Sequence, residues 1–132
     1  MNDLVYLDSS AIIKLIFEEP ETESLETFLR TRPQRASSVA ARIETLRTAR
    51  TVDDPGVTRH AGRVLARIHL VSLNANLVAQ AIAVEPLTLR ALDAIHLATA
   101  LSLQPDLGGM VTYDRRLAAS ARAAGLTVWA PA

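Results

Sequence analysis

Residues 4–17 read Leu4-Val5-Tyr6-Leu7-Asp8-Ser9-Ser10-Ala11-Ile12-Ile13-Lys14-Leu15-Ile16-Phe17, and the change of pattern at Asp8 decides how the rest of the chain is read. Leu4 to Leu7 is an unbroken apolar run, the pattern of a short strand covered on both faces in a parallel sheet. From Ser9 or Ser10 to Phe17 the residues fit a helix. Asp8 stands at the joint, where an aspartate side chain can accept from the free amides of the first helical turn. A strand feeding straight into a helix, repeated along a chain, gives an α/β fold with helices on both faces of a mostly parallel sheet.

The unit does repeat. Pro20 suits the first turn of a second helix reaching about Thr31, with glutamates near the positive end of its dipole, and Pro33 ends it. A brief strand at Arg35 to Ala36 leads through Ser37 and Ser38, both good caps, into a helix from Val39 to about Arg50. Asp53-Asp54-Pro55-Gly56 reads as a turn. Beyond it a helix is expected from Thr58 to Arg67, then a strand at His69 to Ser72 and a helix from Asn74 to Val84 that Pro86 closes. Thr88 is placed to cap a helix through Leu103. Met110 to Thr112 reads as a strand, Arg115 to Ala124 as a helix stopped at Gly125, and Thr127 to Trp129 as a last strand. The units share no repeated sequence, and there is no low-complexity linker. Functional sites in such folds lie at the carboxyl ends of the strands, so Asp8 and Asp114, each directly after an expected strand, belong on one rim.

With 132 residues, 49% of them hydrophobic, the chain can bury one core but not two, and a single domain over 1–132 is expected. The absence of cysteine excludes disulfides, thiolate metal sites and thiol nucleophiles, leaving oxygen and imidazole as the possible metal donors. A net charge of +0, from 14 basic and 14 acidic residues, means that any contact with nucleic acid rests on local charge. Lys14 is the only lysine, and glutamates gather at Glu18, Glu19, Glu21, Glu23 and Glu26. Arg59, Arg63 and Arg67 recur on one helical face, as a solvated stripe or as phosphate contacts. The Met1-Asn2-Asp3 start carries no basic leader, and no apolar run approaches the ~18 residues of a membrane span. A soluble, cytoplasmic protein with no membrane attachment is expected.

Asp93 is the most informative acid. At about 100° per residue it falls between Leu89, Leu97 and Ala100, within the apolar face of its helix. An unpaired carboxylate is costly to bury, so Asp93 must meet a metal, an arginine, or a donor such as His96 one turn away. Asp8 and Asp114 read first as helix caps and second as ligands, and the readings are compatible, because a helix N-terminus favours the ionised form that a hard cation needs. On pattern alone Glu44 reads as solvated, lying off the stripe Val39, Ile43, Leu46. His60, His69 and His96 have no metal-binding spacing and read as surface or core histidines, although His96 is placed to orient Asp93. Ile12, Ile13, Leu15, Ile16, Leu25, Phe28 and Leu29 read as core first and as a partner groove second.

Four segments, taken together, resemble a PIN domain and, more narrowly, the VapC toxins of bacterial toxin-antitoxin modules. They are Tyr6-Leu7-Asp8-Ser9-Ser10-Ala11, Ser37-Ser38-Val39 leading to Glu44, Leu92-Asp93-Ala94-Ile95-His96-Leu97-Ala98-Thr99-Ala100, and Val111-Thr112-Tyr113-Asp114. The resemblance covers essentially the whole chain and no acidic position is missing. It implies a three-layer α/β/α domain with a small, mostly parallel sheet, an Mg²⁺ or Mn²⁺ site and endoribonuclease activity. Asp8 and Asp93 match the main metal ligands, Glu44 the helical acid and Asp114 the more variable fourth acid. Ser9 and Thr112 match hydroxyl positions that orient water or carboxylate. A homodimer and a VapB-type antitoxin, joined in a heterotetramer or larger complex, are also implied.

A bound cation at such a site would activate water against the RNA phosphodiester, with Asp114 or Glu44 accepting its proton, and the family implies 5′-phosphate and 3′-hydroxyl products. At 4% aromatic residues, recognition is expected to rest on phosphate contacts and RNA shape. A phosphoacceptor receiver module fits poorly, because Ser9 stands beside Asp8, Ser72 follows the third strand, and no late lysine exists. An aspartate-based phosphatase fails at Ser10 in the same way. The remaining rival keeps the fold but makes the protein a catalytically inactive RNA-binding or scaffold subunit.

Overall fold

The strand-to-helix joint at Asp8 forms as the sequence predicts. In the computed structural model, which describes residues 2–132, the chain runs β1 (Leu4–Leu7), α1 (Ser9–Ile16), α2 (Thr22–Arg30), β2 (Arg35–Ser38), α3 (Val39–Arg50) and α4 (Pro55–Ala66). It continues through β3 (His69–Val71), α5 (Ala75–Ala83), α6 (Ala91–Ser102), β4 (Leu107–Val111), α7 (Arg115–Ala123) and β5 (Val128–Trp129). The sheet order is β3-β2-β1-β4-β5, and every pairing is parallel.

β1 is central and buried on both faces, as its unbroken apolar run requires. Its alternation divides the core. Val5 and Leu7 point to one face, against Ile12, Ile16, Leu25, Leu29, Ala41, Ala61 and Leu65 of α1 to α4. Tyr6 points to the other, among Leu97, Ala100, Leu117 and Ala121 of α6 and α7. Burying each of the larger aliphatic side chains contributes about 1.5–3 kcal/mol. Three layers result, with α5 packed on α6 at the outside.

Several boundaries differ from the sequence reading, each for a local reason. The Asp53 to Gly56 turn is the start of α4: the Asp54 side chain accepts from the Gly56 amide at 2.8 Å, and Pro55 opens the helix, where its missing N–H costs nothing. α6 begins at Ala91, because residues 87–89 form a turn closed by Leu89 N–H to Pro86 O at 3.0 Å. β4 starts three residues early, through Gly108 and Gly109. Here glycine is required by close approach: a Cβ at Gly108 would stand 2.5 Å from Asn2 O, and one at Gly109 2.7 Å from the Trp129 ring. The expected apolar stripe of α3 is also corrected. Ile43 is 61% exposed, and the buried face is Ala40, Ala41, Thr45 and Ala49, a strip of small residues that lets the helix lie close to its neighbours.

α7 ends as read. Gly125 adopts φ +94°, and the Leu126 amide bonds Ala121 O while the Gly125 amide bonds Arg122 O, both at 3.0 Å. This closure turns the chain directly into β5.

Candidate active site

Strand order reverses at β1. The chain lays β2 and β3 on one side and then crosses to lay β4 and β5 on the other, so the carboxyl ends of β1 and β4 flank a crevice. Asp8 follows β1 and Asp114 follows β4 by three residues. α3 brings Glu44 to this rim, and the first turn of α6 brings Asp93. All four acids line one cleft of about 570 Å³, together with Ser9, Ser10, Lys14, Arg90, His96 and Tyr113.

Asp8 is the most firmly held. It is 3% exposed. One carboxylate oxygen accepts from Ser10 Oγ at 2.6 Å and from the Ala11 amide at 3.0 Å, which caps α1; the other accepts from Thr112 Oγ1. Both hydroxyls also work across the gap between strands. Ser10 Oγ accepts the Tyr113 amide at 2.9 Å, and Thr112 Oγ1 accepts the Asp114 amide at 3.1 Å. Asp114 caps α7 through the Arg116 and Leu117 amides at 2.9 and 3.0 Å. The two loops thus brace one another, and Asp8 and Asp114 serve as caps while facing the cleft.

The charges in the cleft are not neutralised. Burial pushes the Asp8 carboxyl above the usual aspartate range; bonds from Ser10, Thr112 and the Ala11 amide oppose the rise, and Asp114 adds to it. Asp93 is pushed up by burial, then by Asp114 and Asp8, with Arg90 opposing and Glu44 adding a little. Lys14, the one lysine, is committed to Glu19 at 3.0 Å and Glu21 at 2.9 Å. Among the described residues these are the only ion pairs, so neither an arginine nor any other cation pairs with Asp93. The internal ion pair considered for it is absent.

The donor set is all carboxylate oxygen, which suits a hard divalent cation such as Mg²⁺ or Mn²⁺. Among the described residues, no three Asp, Glu or His side chains are gathered tightly enough to enclose an ion as they stand. The chain supplies instead a rim of mutually repelling oxygens around one cleft.

His96 is not a partner of Asp93. Its Nδ1 meets Tyr6 Oη at 2.7 Å and its Nε2 meets Ser9 Oγ at 3.0 Å, so both nitrogens are taken. Burial pushes its pKa down to about 4, against a small opposing effect of Glu44. Ser9 accordingly touches His96 and no carboxylate, and the hydroxyl that orients Asp8 from this loop is Ser10. Sequence reasoning missed that role, although Ser10 lies two residues from a capping aspartate. His60 bonds Leu15 O at 3.0 Å, and His69 is exposed, both outside the cleft. Arg63 and Arg67 of the arginine stripe line a separate groove with Arg30 and Arg35, sharing no residue with the acidic cleft.

Comparison with known proteins agrees with this architecture. The PIN domain family matches residues 5–127. Ribonuclease VapC46 of Mycobacterium tuberculosis is 45% identical over 128 residues, covering 96% of this chain and 97% of that protein. Ribonuclease VapC47 of the same species is 36% identical over 132 residues, covering 97% of each. Among solved structures, a toxin-antitoxin complex from Klebsiella pneumoniae superposes with a TM-score of 0.74 at 20% identity, covering 97% of this chain and 98% of that one. Mycobacterium tuberculosis VapC20, a sarcin-ricin loop cleaving toxin, gives 0.73 at 14% identity, covering 93% and 96%. With the acids of four separate elements around one cleft and these relatives over nearly its full length, the chain belongs to the PIN-domain family and, within it, to the VapC group.

Proposed function

We propose that this chain, as one PIN-like domain over residues 1–132, is a divalent-cation-dependent endoribonuclease and the toxin of a type II toxin-antitoxin pair. The ribonuclease names of its relatives support the reaction class. The observation that carries the reading is the uncompensated cleft, where Asp8, Glu44, Asp93 and Asp114 converge from distant points of the chain and none has an ion pair among the described residues. An inactive RNA-binding or scaffold subunit would bear that repulsion without a use for it.

Asp8 and Asp93 would hold Mg²⁺ or Mn²⁺, with Glu44 and Asp114 completing the rim. When bound, such a cation supplies a water of lowered pKa and neutralises charge growing on the phosphoryl oxygens. Ser10 and Thr112 keep Asp8 pointed into the cleft through the bonds they donate. Both Glu44 and Asp114 line the cleft, and one of them would take the proton of an attacking water. Cleavage would leave a 5′-phosphate and a 3′-hydroxyl.

A VapB-type antitoxin and self-association, as a homodimer and as a heterotetramer or larger complex with the antitoxin, belong to the same reading. The VapC relatives support the first, and an exposed apolar surface of Leu73, Val78, Ile82 (73% exposed) and Leu87 (80%) supports buried contacts with another chain. Ile82→Glu should lower the mass seen by light scattering if this face joins two copies, and an unchanged mass would remove it. No helix among the described residues is long and apolar enough to cross a membrane.

The deciding test is cleavage of RNA by the purified chain with Mn²⁺ or Mg²⁺ and with a chelator, mapping the new 5′ ends. Metal-dependent cleavage abolished by Asp8→Asn and by Asp93→Asn, both folded, is expected. Full activity in either variant would remove the site.

A further inference from the structure

Two cationic side chains line the acidic cleft, Lys14 and Arg90. Lys14 is committed: its ammonium meets Glu19 at 3.0 Å and Glu21 at 2.9 Å and lies 4.7 Å from the centre of the Tyr113 ring. Arg90 is exposed and belongs to no ion pair among the described residues. It occupies the N-cap of α6, with φ −65° and ψ 155°, and its side chain makes no capping bond. Side-chain oxygens cap the other helices that border the cleft, Asp8 for α1, Ser38 for α3 and Asp114 for α7. A guanidinium in that place has no oxygen to offer the free amides, and its charge stands at the positive end of the helix dipole, so it weakens the start of α6. Asp93, three residues on, is at ion-pairing spacing and yet is not its partner.

We infer that Arg90 contacts RNA directly, its guanidinium holding a backbone phosphate of the strand that lies in the cleft. The inference rests on the ribonuclease reading. Asp8, Glu44, Asp93 and Asp114 together repel a polyanion, and a bound cation offsets that repulsion only where it sits. A strand that runs beyond the reacting phosphodiester needs a further positive group, and Arg90 is the one that the cleft leaves uncommitted. A guanidinium suits the task, because its planar fork presents paired N–H donors to two phosphate oxygens. The same charge explains a poor cap: stability at the start of α6 is exchanged for a grip on substrate. A contact made alike in ground and transition states sets KM and leaves kcat nearly unchanged. Arg90 thus binds the strand and takes no part in proton transfer.

The test compares the full chain with its Arg90→Gln, Arg90→Lys and Arg90→Ser variants, and with Arg122→Gln as a control for net charge, since Arg122 is exposed in the last turn of α7, at the end away from the cleft. The probe is a short single-stranded RNA of mixed sequence, cleaved in Mn²⁺ at several KCl concentrations. Arg90→Gln should raise KM roughly five- to thirtyfold and leave kcat within about threefold. The log–log slope of kcat/KM against salt should become shallower by about 0.7, the share of one phosphate contact on a single strand. Arg90→Lys should recover that slope and part of the KM. Arg90→Ser should bind RNA as poorly as Arg90→Gln yet melt about 2–4 °C above the wild type, because serine caps α6. By calorimetry, Mn²⁺ should bind Arg90→Gln as tightly as the wild type or more so, a positive neighbour having gone. Unchanged KM and salt slope in Arg90→Gln, an equal loss in Arg122→Gln, or an Arg90→Ser that melts lower would each overturn the inference. So would an Mn²⁺ affinity that falls in step with cleavage, which would make Arg90 a support for Asp93. A wild type that cleaves in no divalent ion sinks the ribonuclease reading itself, whereas an active wild type beside a fully active Arg90→Gln sinks only the phosphate contact.

Discussion

Asp93→Asn distinguishes a cation site from a structural polar cluster. The exchange keeps the side chain's shape and removes one charge from a group with no ion pair among the described residues. Burial and the charges of Asp114 and Asp8, with a little from Glu44, hold the Asp93 carboxyl above its ordinary range despite Arg90. A carboxyl whose folded pKa lies above its unfolded one favours the fold at acid pH, and that contribution disappears as pH rises from the unfolded through the folded value. Near neutrality, without divalent ion, the ionised group is a small liability. Because Asp93 is only half-buried, its removal should stabilise by less than about 1 kcal/mol, leaving Tm unchanged or higher by about 1–3 °C. With divalent ion the order reverses. A ligand at roughly a hundred times its Kd adds about 2.7 kcal/mol, which for a domain of this size is about 10 °C in Tm. Calorimetry in chelator and then in Mn²⁺ should show that rise in the wild type and little of it in the variant. A variant that melts several degrees lower in chelator, or keeps the full Mn²⁺ shift, would refute the reasoning.

Thr112→Val should cost about 1–3 kcal/mol, because it leaves a buried Asp8 oxygen and the Asp114 amide unpaired, and urea unfolding would read it. The same variant should raise the Asp8 carboxyl further, since the lost bond was one that lowered it. Divalent-ion affinity should weaken as pH falls below neutrality, because protons compete for the raised Asp8 and Asp93 carboxyls; titration calorimetry giving a flat profile would argue against these ligands. Gly109→Ala should push the Trp129 ring and Thr127 O away from β4 and cost about 1–3 kcal/mol, visible as a red shift of the one tryptophan's emission.

The layers were legible in the sequence because β1 is apolar throughout and followed at once by a capping aspartate. What failed depended on neighbours that no local window contains. Gly108 and Gly109 look like loop residues until the strands beside them are known, since their value lies in an absent Cβ. The inward face of α3 was hidden by alanines, which carry little weight in a hydrophobic pattern, and Ile43 drew the stripe to the wrong side. In the cleft, Asp93 stood out because a carboxylate in an apolar stripe conflicts with its surroundings. Glu44 made no such conflict and was found only through the family resemblance. His96 lies in the core as read, but it does not orient Asp93 as helical spacing suggests, because Tyr6, 90 positions away, takes its nitrogen.

Asp8 and Asp114 each hold a helix start as well as a face of the cleft, while Glu44 and Asp93 cap nothing. Loss of activity in a descendant would therefore leave an uneven trace. Positions 44 and 93 could drift to almost any residue that fits, but 8 and 114 would be restricted to asparagine, serine or threonine, the neutral side chains that still close a helix. A dead copy of this gene would thus be recognised by which acids it kept as small polar residues, and a lineage carrying Asp8→Asn or Asp114→Ser would still fold.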